Sequence, residues 1–338
     1  MKGYKLIKPF TLEESETEDQ PLNGITSKVR LTKSLITLSD VLRYNGEIDA
    51  NEVVLGSVGL GVLSETDENL LDLEKGNRTY IEPSRECNEC YNCKKGEAEK
   101  CSNVQIAGED YDGFLCDFAV ARTEKLYALP DSVSDTEALF INHISLAVSL
   151  FDKLNIQKGD YVSVIGANNF GNIFAQLLIY YQAVPIVLTS DEESMASAKK
   201  SGIYYVLGPN DNWQKEVSTI TSGRMTDKVV YIADCNIPVV KAFSLASFGG
   251  AVAFTGFSGK TGAVSFMQAV KKQLDIHCIN NDFRYTAASI NLLANKAINF
   301  SFLKINNCTY KSIPETLKKL NEELETTGKI NETIVNLI

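Results

Sequence analysis

The stretch Tyr161-Val162-Ser163-Val164-Ile165-Gly166-Ala167-Asn168-Asn169-Phe170-Gly171 decides the fold. Five residues of strand character stop at a glycine, and the mostly apolar run 170–182 that follows has the length of a helix. A second short apolar strand at 184–188 and a helix at 192–201, closed by Gly202, come next. Strand, helix, strand, helix predicts a parallel sheet with crossover connections. The alternation continues through 204–207, 229–233 and 251–255, so residues 146–285 read as one doubly wound α/β domain.

The turn inside that stretch carries chemistry. A dinucleotide-binding turn has the pattern G-x-G-x-x-G, and here Gly166 and Gly171 stand at its first and third glycines, with Asn168 at the second. The middle glycine lets backbone approach a pyrophosphate, and an asparagine side chain takes up that room. Alternatively, Gly166 and Gly171 serve only a tight strand-to-helix turn. An acid that holds the ribose hydroxyls is expected about 20 residues on. The sequence there is Thr189-Ser190-Asp191. Asp191 reaches a ribose if the strand ends late, whereas Thr189 and Ser190 would leave space for a 2′-phosphate. Asp191, Glu192 and Glu193 would repel that phosphate, and no arginine is near, so the reading leans to NAD(H) over NADP(H).

Upstream, the pattern differs. Ile25, Ser27, Val29 and Leu31 alternate with Lys28 and Arg30, which predicts a half-buried strand, and the acidic run Glu13 to Asp19 before it reads as a solvated turn. Short apolar runs broken by Gly, Asn and Asp make the first 140 residues β-rich. Near the end, Leu317, Leu320 and Leu324 recur at helical spacing between Pro314 and Gly328.

Cys87, Cys90, Cys93 and Cys101 give C-x2-C-x2-C-x7-C. Four thiolates close a tetrahedral shell around zinc and leave no open position, so the spacing predicts a structural zinc site, one ion per chain. The ferredoxin pattern with its trailing proline is absent. Cys116, Cys235, Cys278 and Cys308 stand apart, and Cys116 reads as a small apolar filler.

The 338 residues exceed one ordinary hydrophobic core, which predicts two domains. Thirty-three Lys and Arg against 43 Asp and Glu leave a net charge of −10, which disfavours nucleic acid and anionic membrane as partners. No apolar run is long enough to span a bilayer, and the amino terminus has no signal-like apolar core; a cytoplasmic protein is expected.

The order of these features resembles the medium-chain, zinc-containing alcohol dehydrogenases over nearly the whole chain. Gly76-Asn77-Arg78 is similar to the family's Gly-Asp-Arg step, and the four cysteines stand where its structural-zinc lobe stands. Tyr111-Asp112-Gly113-Phe114 resembles its Gly-Gly-Phe-Ala-Glu-Tyr segment, and Leu129-Pro130-Asp131-Ser132 its Leu-Pro-Asp turn. The resemblance implies a GroES-like β-rich domain built from residues 1–145 and 286–338, with the zinc lobe at about 85–103. It also implies a Rossmann nucleotide-binding domain at 146–285 and a nicotinamide cofactor between the two. Arg284 would then contact a cofactor phosphate, or be a surface charge. A homodimer or homotetramer follows from the sheet edges such domains expose.

The departures bear on the chemistry. The family's catalytic zinc is held by a cysteine in a Cys-Gly-x-Asp segment, by a Gly-His-Glu segment and by a residue after the Leu-Pro-Asp turn. Here the first reads Thr37-Leu38-Ser39-Asp40, the second Gly56-Ser57-Val58, and the third falls on Asn142, or on His143 after a shift of one. Thr37, Ser57, Val58 and Asn142 offer no thiolate, imidazole or carboxylate, so no catalytic zinc is expected. The chain has two histidines, His143 and His277; His143 lies in an apolar stretch and reads as a core residue. Without a Lewis acid, hydride addition to a conjugated double bond is less demanding than carbonyl chemistry, because hydroxyl groups can stabilise the enolate. Thr37, Tyr44 and Ser57 are the hydroxyls expected near a small-molecule substrate, with Asp40 orienting them. Each has a plainer reading: inert replacements, a packing aromatic, a turn acid. The expected function is therefore reduction of an activated double bond or quinone-like compound. The alternative is a non-catalytic relative that keeps the fold as a binding module, and ordinary zinc-dependent alcohol oxidation would require another alignment of the ligand segments.

Overall fold

The computed structural model describes residues 1–16, 22, 24–49, 51–66, 73–233, 237–256 and 266–338. Cys235, and Glu18 and Asp19 of the acidic run, lie outside them. The chain divides into two compact units, residues 1–140 with 305–338, and residues 141–304.

In the first unit, β1 (Lys2–Lys8) turns back into β2 (Thr11–Glu16). This corrects the expectation of a solvated acidic turn: Lys2 pairs with Glu16 and Lys5 with Glu13 across the ladder, and the Lys2 ammonium lies 3.2 Å from Glu14. Opposite charges facing across strands turn an acidic run into a sheet edge. Next come β3 (Thr26–Ile36), α1 (Leu38–Tyr44), β4 (Val53–Val54), β5 (Gly59–Thr66), β6 (Arg78–Ile81) and β7 (Ser84–Arg85). The zinc-lobe segment holds α2 (Tyr91–Lys94) and runs into β8 (Gln105–Ile106), followed by β9 (Phe118–Arg122), β10 (Leu126–Ala128) and α3 (Asp135–Ala138).

β3 is the spine. Its first half pairs with β9, Thr26 opposite Arg122, and its second half pairs with the C-terminal strand Thr333–Asn336, Lys33 opposite Asn336; its other edge carries β5. The sheet therefore joins both ends of the chain. The alternation read from sequence holds for Ser27, Val29 and Leu31, all fully buried, but Ile25 is 56% exposed because it precedes the strand. Cys116 lies in the core with Leu6, Phe114 and Leu317, the last from the C-terminal helix Ile313–Thr327.

The second unit opens with α4 (Ile141–Leu154), then alternates: β11 (Tyr161–Ile165), α5 (Asn169–Tyr180), β12 (Val184–Leu188), α6 (Glu192–Lys200), β13 (Tyr205–Leu207), α7 (Trp213–Ile220), β14 (Thr226–Ile232), α8 (Val240–Leu245), β15 (Ala246–Thr255), α9 (Met267–Lys272), β16 (Asp275–Ile279) and α10 (Thr286–Ala294). Six parallel strands take the order β13-β12-β11-β14-β15-β16. The order reverses between β11 and β14, which is where such sheets bind ligands outside the carboxyl ends of their strands. Residues 286–304, placed with the first domain from sequence, lie in this unit, and α10 packs on α4. The periodicity of a single amphipathic helix says nothing of which sheet it will cover. Among the described residues no helix is long and apolar enough to cross a membrane.

Candidate functional site

In the second unit, β11 is followed by Gly166, whose φ of 116° only glycine adopts readily, and α5 begins three residues later. A Cβ on Gly171 would lie 2.1 Å from the Gly166 carbonyl oxygen, so the third glycine is required for helix and strand to meet. Asn168 sits between them as the N-cap of α5, and its Oδ1 accepts a hydrogen bond from the Gly171 N–H at 2.8 Å. The first turn of a helix offers unpaired N–H groups to an anion, and here one of those donors is already taken by the chain's own amide. For a pyrophosphate to take these donors, the Asn168 side chain would have to swing away.

The candidate ribose residues are engaged in bonds of the chain's own. Thr189 is buried just beyond β12, and its hydroxyl lies 3.3 Å from Asp191. Asp191 is the N-cap of α6, with Oδ1 accepting from the Ser194 N–H at 2.8 Å. Beside them Ser190, Asn210, Trp213, Ile237 and Lys241 line a pocket of about 540 Å³. Sequence reasoning missed Trp213 and Lys241, since nothing in the local pattern ties the loops after β13 and β14 to the end of β12. Arg284 is matched already: its Nε and Nη2 donate to both carboxylate oxygens of Asp282, the shortest at 2.7 Å, and Ser149 donates to the same carboxylate at 2.6 Å. That fork holds Asp282 ionised, its carboxyl shifted below the usual range by the guanidinium and Ser149 against the opposing effect of burial. Asn142 and His143 stand in the first turn of α4, both half-buried, the His143 ring 6.2 Å from that of Phe170.

In the first unit, Asp40 draws two distant segments together. Fully buried, it accepts from the Thr37 N–H at 2.8 Å and the Thr37 hydroxyl at 2.9 Å with one oxygen, and from the Gly56 N–H at 2.9 Å with the other. Thr37 and Gly56-Ser57 are thereby neighbours. The Ser39 hydroxyl, which the sequence reading passed over, is 3.0 Å from that of Thr37. Burial pushes the Asp40 carboxyl above its ordinary value, and the Thr37 and Gly56 donors and Arg43 oppose that rise. Arg43 in turn donates to the Ser39 carbonyl and pairs with Glu109 at 2.8 Å. Tyr44 does not join the group. It lies seven positions along α1 from Thr37, about 10 Å by helical rise, and its ring meets Phe10 edge-on at 5.5 Å. Its placement is that of a packing aromatic.

Cys87, Cys90, Cys93 and Cys101 converge, with all four sulfurs within 4.8 Å of one another and the closest pairs at 3.5 Å. Four sulfurs each about 2.3 Å from a tetrahedral centre stand about 3.8 Å apart, so the set fits a zinc ion. Backbone N–H groups of Cys93 and Ser102 lower the Cys90 thiol to about 5, while burial and the neighbouring thiols raise Cys93 to about 12.

Residues 26–131 match the alcohol dehydrogenase GroES-like domain. The chain is 25% identical over 297 residues to a zinc-type alcohol dehydrogenase-like protein of Haemophilus influenzae, covering 87% of each. It is 28% identical over 226 residues to a sorbitol dehydrogenase of Halalkalibacterium halodurans, covering 65% of each. Its fold is that of the alcohol dehydrogenase RspB of Escherichia coli solved with NADH: TM-score 0.86 at 22% identity, covering 100% of this chain and 99% of that one.

Proposed function

We propose, from the premise that this chain is a relative of the zinc-type medium-chain alcohol dehydrogenases, that it is an oxidoreductase without a catalytic zinc. It would reduce an activated double bond or quinone-like small molecule with a nicotinamide cofactor, NAD(H) before NADP(H). A single zinc in the four-cysteine lobe would be structural, and the protein would be a cytoplasmic homodimer or homotetramer.

The observation that carries this reading is the Asp40 arrangement. In the segments that resemble those carrying the family's thiolate and imidazole ligands, this chain has Thr37 and Ser57, and the buried Asp40 carboxylate ties Thr37 to Gly56, the residue before Ser57. Among the described residues, the four-cysteine set is the one grouping of three or more His, Cys, Asp or Glu placed to hold a metal. When bound, a reduced nicotinamide supplies the hydride. The chain's own part is to hold the acceptor and stabilise the charge that develops on its oxygen. A hydroxyl has one proton to donate. While Asp40 is ionised it takes the proton of Thr37, and the 3.0 Å contact between the Thr37 and Ser39 hydroxyls is then closed by the Ser39 proton. Protonating Asp40 reverses that bond and frees the Thr37 proton.

A second reading, a non-catalytic binding module, is favoured by the Asn168 bond to Gly171. Fluorescence titration of the purified protein with NADH and NADPH tests both. Saturable binding of NADH supports the enzyme, and binding of neither at about 1 mM, far above ordinary cofactor affinities, supports the module.

A further inference from the structure

A cavity in the first unit, apart from Thr37, Asp40 and Ser57, opens where β9 passes the β6–β7 segment. Its volume is about 160 Å³. Ile81, Phe114, Phe118, Ala119 and Ala121 give it apolar walls, and the charged side chains on it are Lys28, Arg85, Arg122, Lys125, Glu82 and Asp112. Most of those charges are engaged. Lys125 lies between Glu82 at 2.7 Å and Glu86 at 2.6 Å. Glu82 accepts in addition from Ser84 and Tyr127, and Asp112 accepts from the Val54 N–H. Arg122 pairs with Glu124.

Arg85 is different. Its guanidinium lies over the Tyr111 ring, 3.7 Å from the centroid, and its one hydrogen bond is a long one from Nη2 to the Val120 carbonyl at 3.5 Å. The Tyr111 hydroxyl donates to the Pro83 carbonyl at 2.6 Å, which fixes the ring beneath it. A half-buried guanidinium stacked on a fixed ring, with no carboxylate partner among the described residues, is a planar donor fork held in place without its acceptor. Lys28 stands over the Phe118 ring at 4.6 Å on the same cavity wall.

We propose that this cavity is a binding site for a small organic monoanion: a carboxylate held by the Arg85 fork, with an apolar body against Phe114, Phe118 and Ala119. The volume admits a body of about one six-membered ring. Charge selects the head group. Glu82 and Asp112 share the lining with Arg85, and a planar carboxylate on an apolar body matches both the guanidinium fork and the aromatic wall, so a monocarboxylate is favoured over a phosphate. The site is independent of the nicotinamide reading.

The test uses the full zinc-loaded chain and three probes, benzoate, its neutral isostere benzamide and inorganic phosphate, with saturation-transfer NMR and calorimetry as readouts. Benzoate is expected to bind saturably below about 10 mM, with benzamide and phosphate each weaker by about ten-fold. Arg85→Met should weaken benzoate by about ten-fold or more at unchanged zinc content. Equal binding of benzamide, tighter binding of phosphate, no benzoate saturation, or an undiminished Arg85→Met variant would each overturn the proposal. If Arg85→Met loses zinc or fails to fold, the comparison of benzoate with benzamide on the wild type decides.

Discussion

Asn168 and Gly171 are joined by a 2.8 Å hydrogen bond from the Gly171 N–H to the Asn168 side-chain oxygen, across the turn where an incoming pyrophosphate would sit. The same bond caps α5, so helix stability and ligand access are set against each other.

Asn168→Gly should separate the two. It removes the side-chain cap but leaves a residue tolerated at that position, costing roughly a few tenths of a kcal/mol and lowering the melting temperature by about a degree. It also frees the N–H donors, so NADH should bind several-fold tighter by fluorescence titration. Loss of stability with no gain in affinity would mean that the turn is only structural.

The four-cysteine lobe should carry one zinc per chain, and Cys90→Ser should reduce it in elemental analysis. The sign of the pH effect follows from the thiol. The Cys90 value near 5 means its thiolate persists through neutral pH and is lost on acidification. Zinc release, followed with a chromogenic chelator, should therefore rise as pH falls towards and below 5, while a chelator at neutral pH should loosen this lobe and leave the nucleotide-type domain folded.

Simple primary and secondary alcohols should not be oxidised, even with added zinc. Reductive activity towards activated alkenes or quinones should fall by about ten-fold or more in Thr37→Val, which removes a hydroxyl and with it the Asp40 bond. Tyr44→Phe, a substitution remote from Thr37, should leave turnover near the wild-type rate. Zinc-stimulated ethanol or butanediol oxidation with a second equivalent of bound metal would contradict this reading.

Asp40 should make its own pH signature. Its carboxyl is raised in the folded protein, so its contribution to stability is full below the unfolded value and declines as pH rises through the folded one. The melting-temperature difference between wild type and Asp40→Asn should therefore shrink from about pH 4 to pH 7. A difference that widens over that range would show that the Thr37 and Gly56 donors outweigh burial.

The sequence by itself determined what depends on neighbours along the chain. The strands at 161–165 and 184–188 lie where the apolar runs place them, because a parallel strand buried on both faces leaves an unbroken apolar signature. The four cysteines were legible because three of them recur with two residues between each pair, and thiolates cluster that tightly for a metal. What tertiary structure decided is everything that needed a partner from elsewhere. The acidic run became a strand because Lys2 and Lys5 lay opposite it. Residues 286–304 joined the second unit because α10 found α4. Thr37 and Ser57 became neighbours through Asp40, while Tyr44, closer in sequence to Thr37 than Ser57 is, was carried away by two turns of helix. Sequence proximity and spatial proximity part wherever a helix or a sheet intervenes, and hydrogen bonds between distant segments are set by the packing of both.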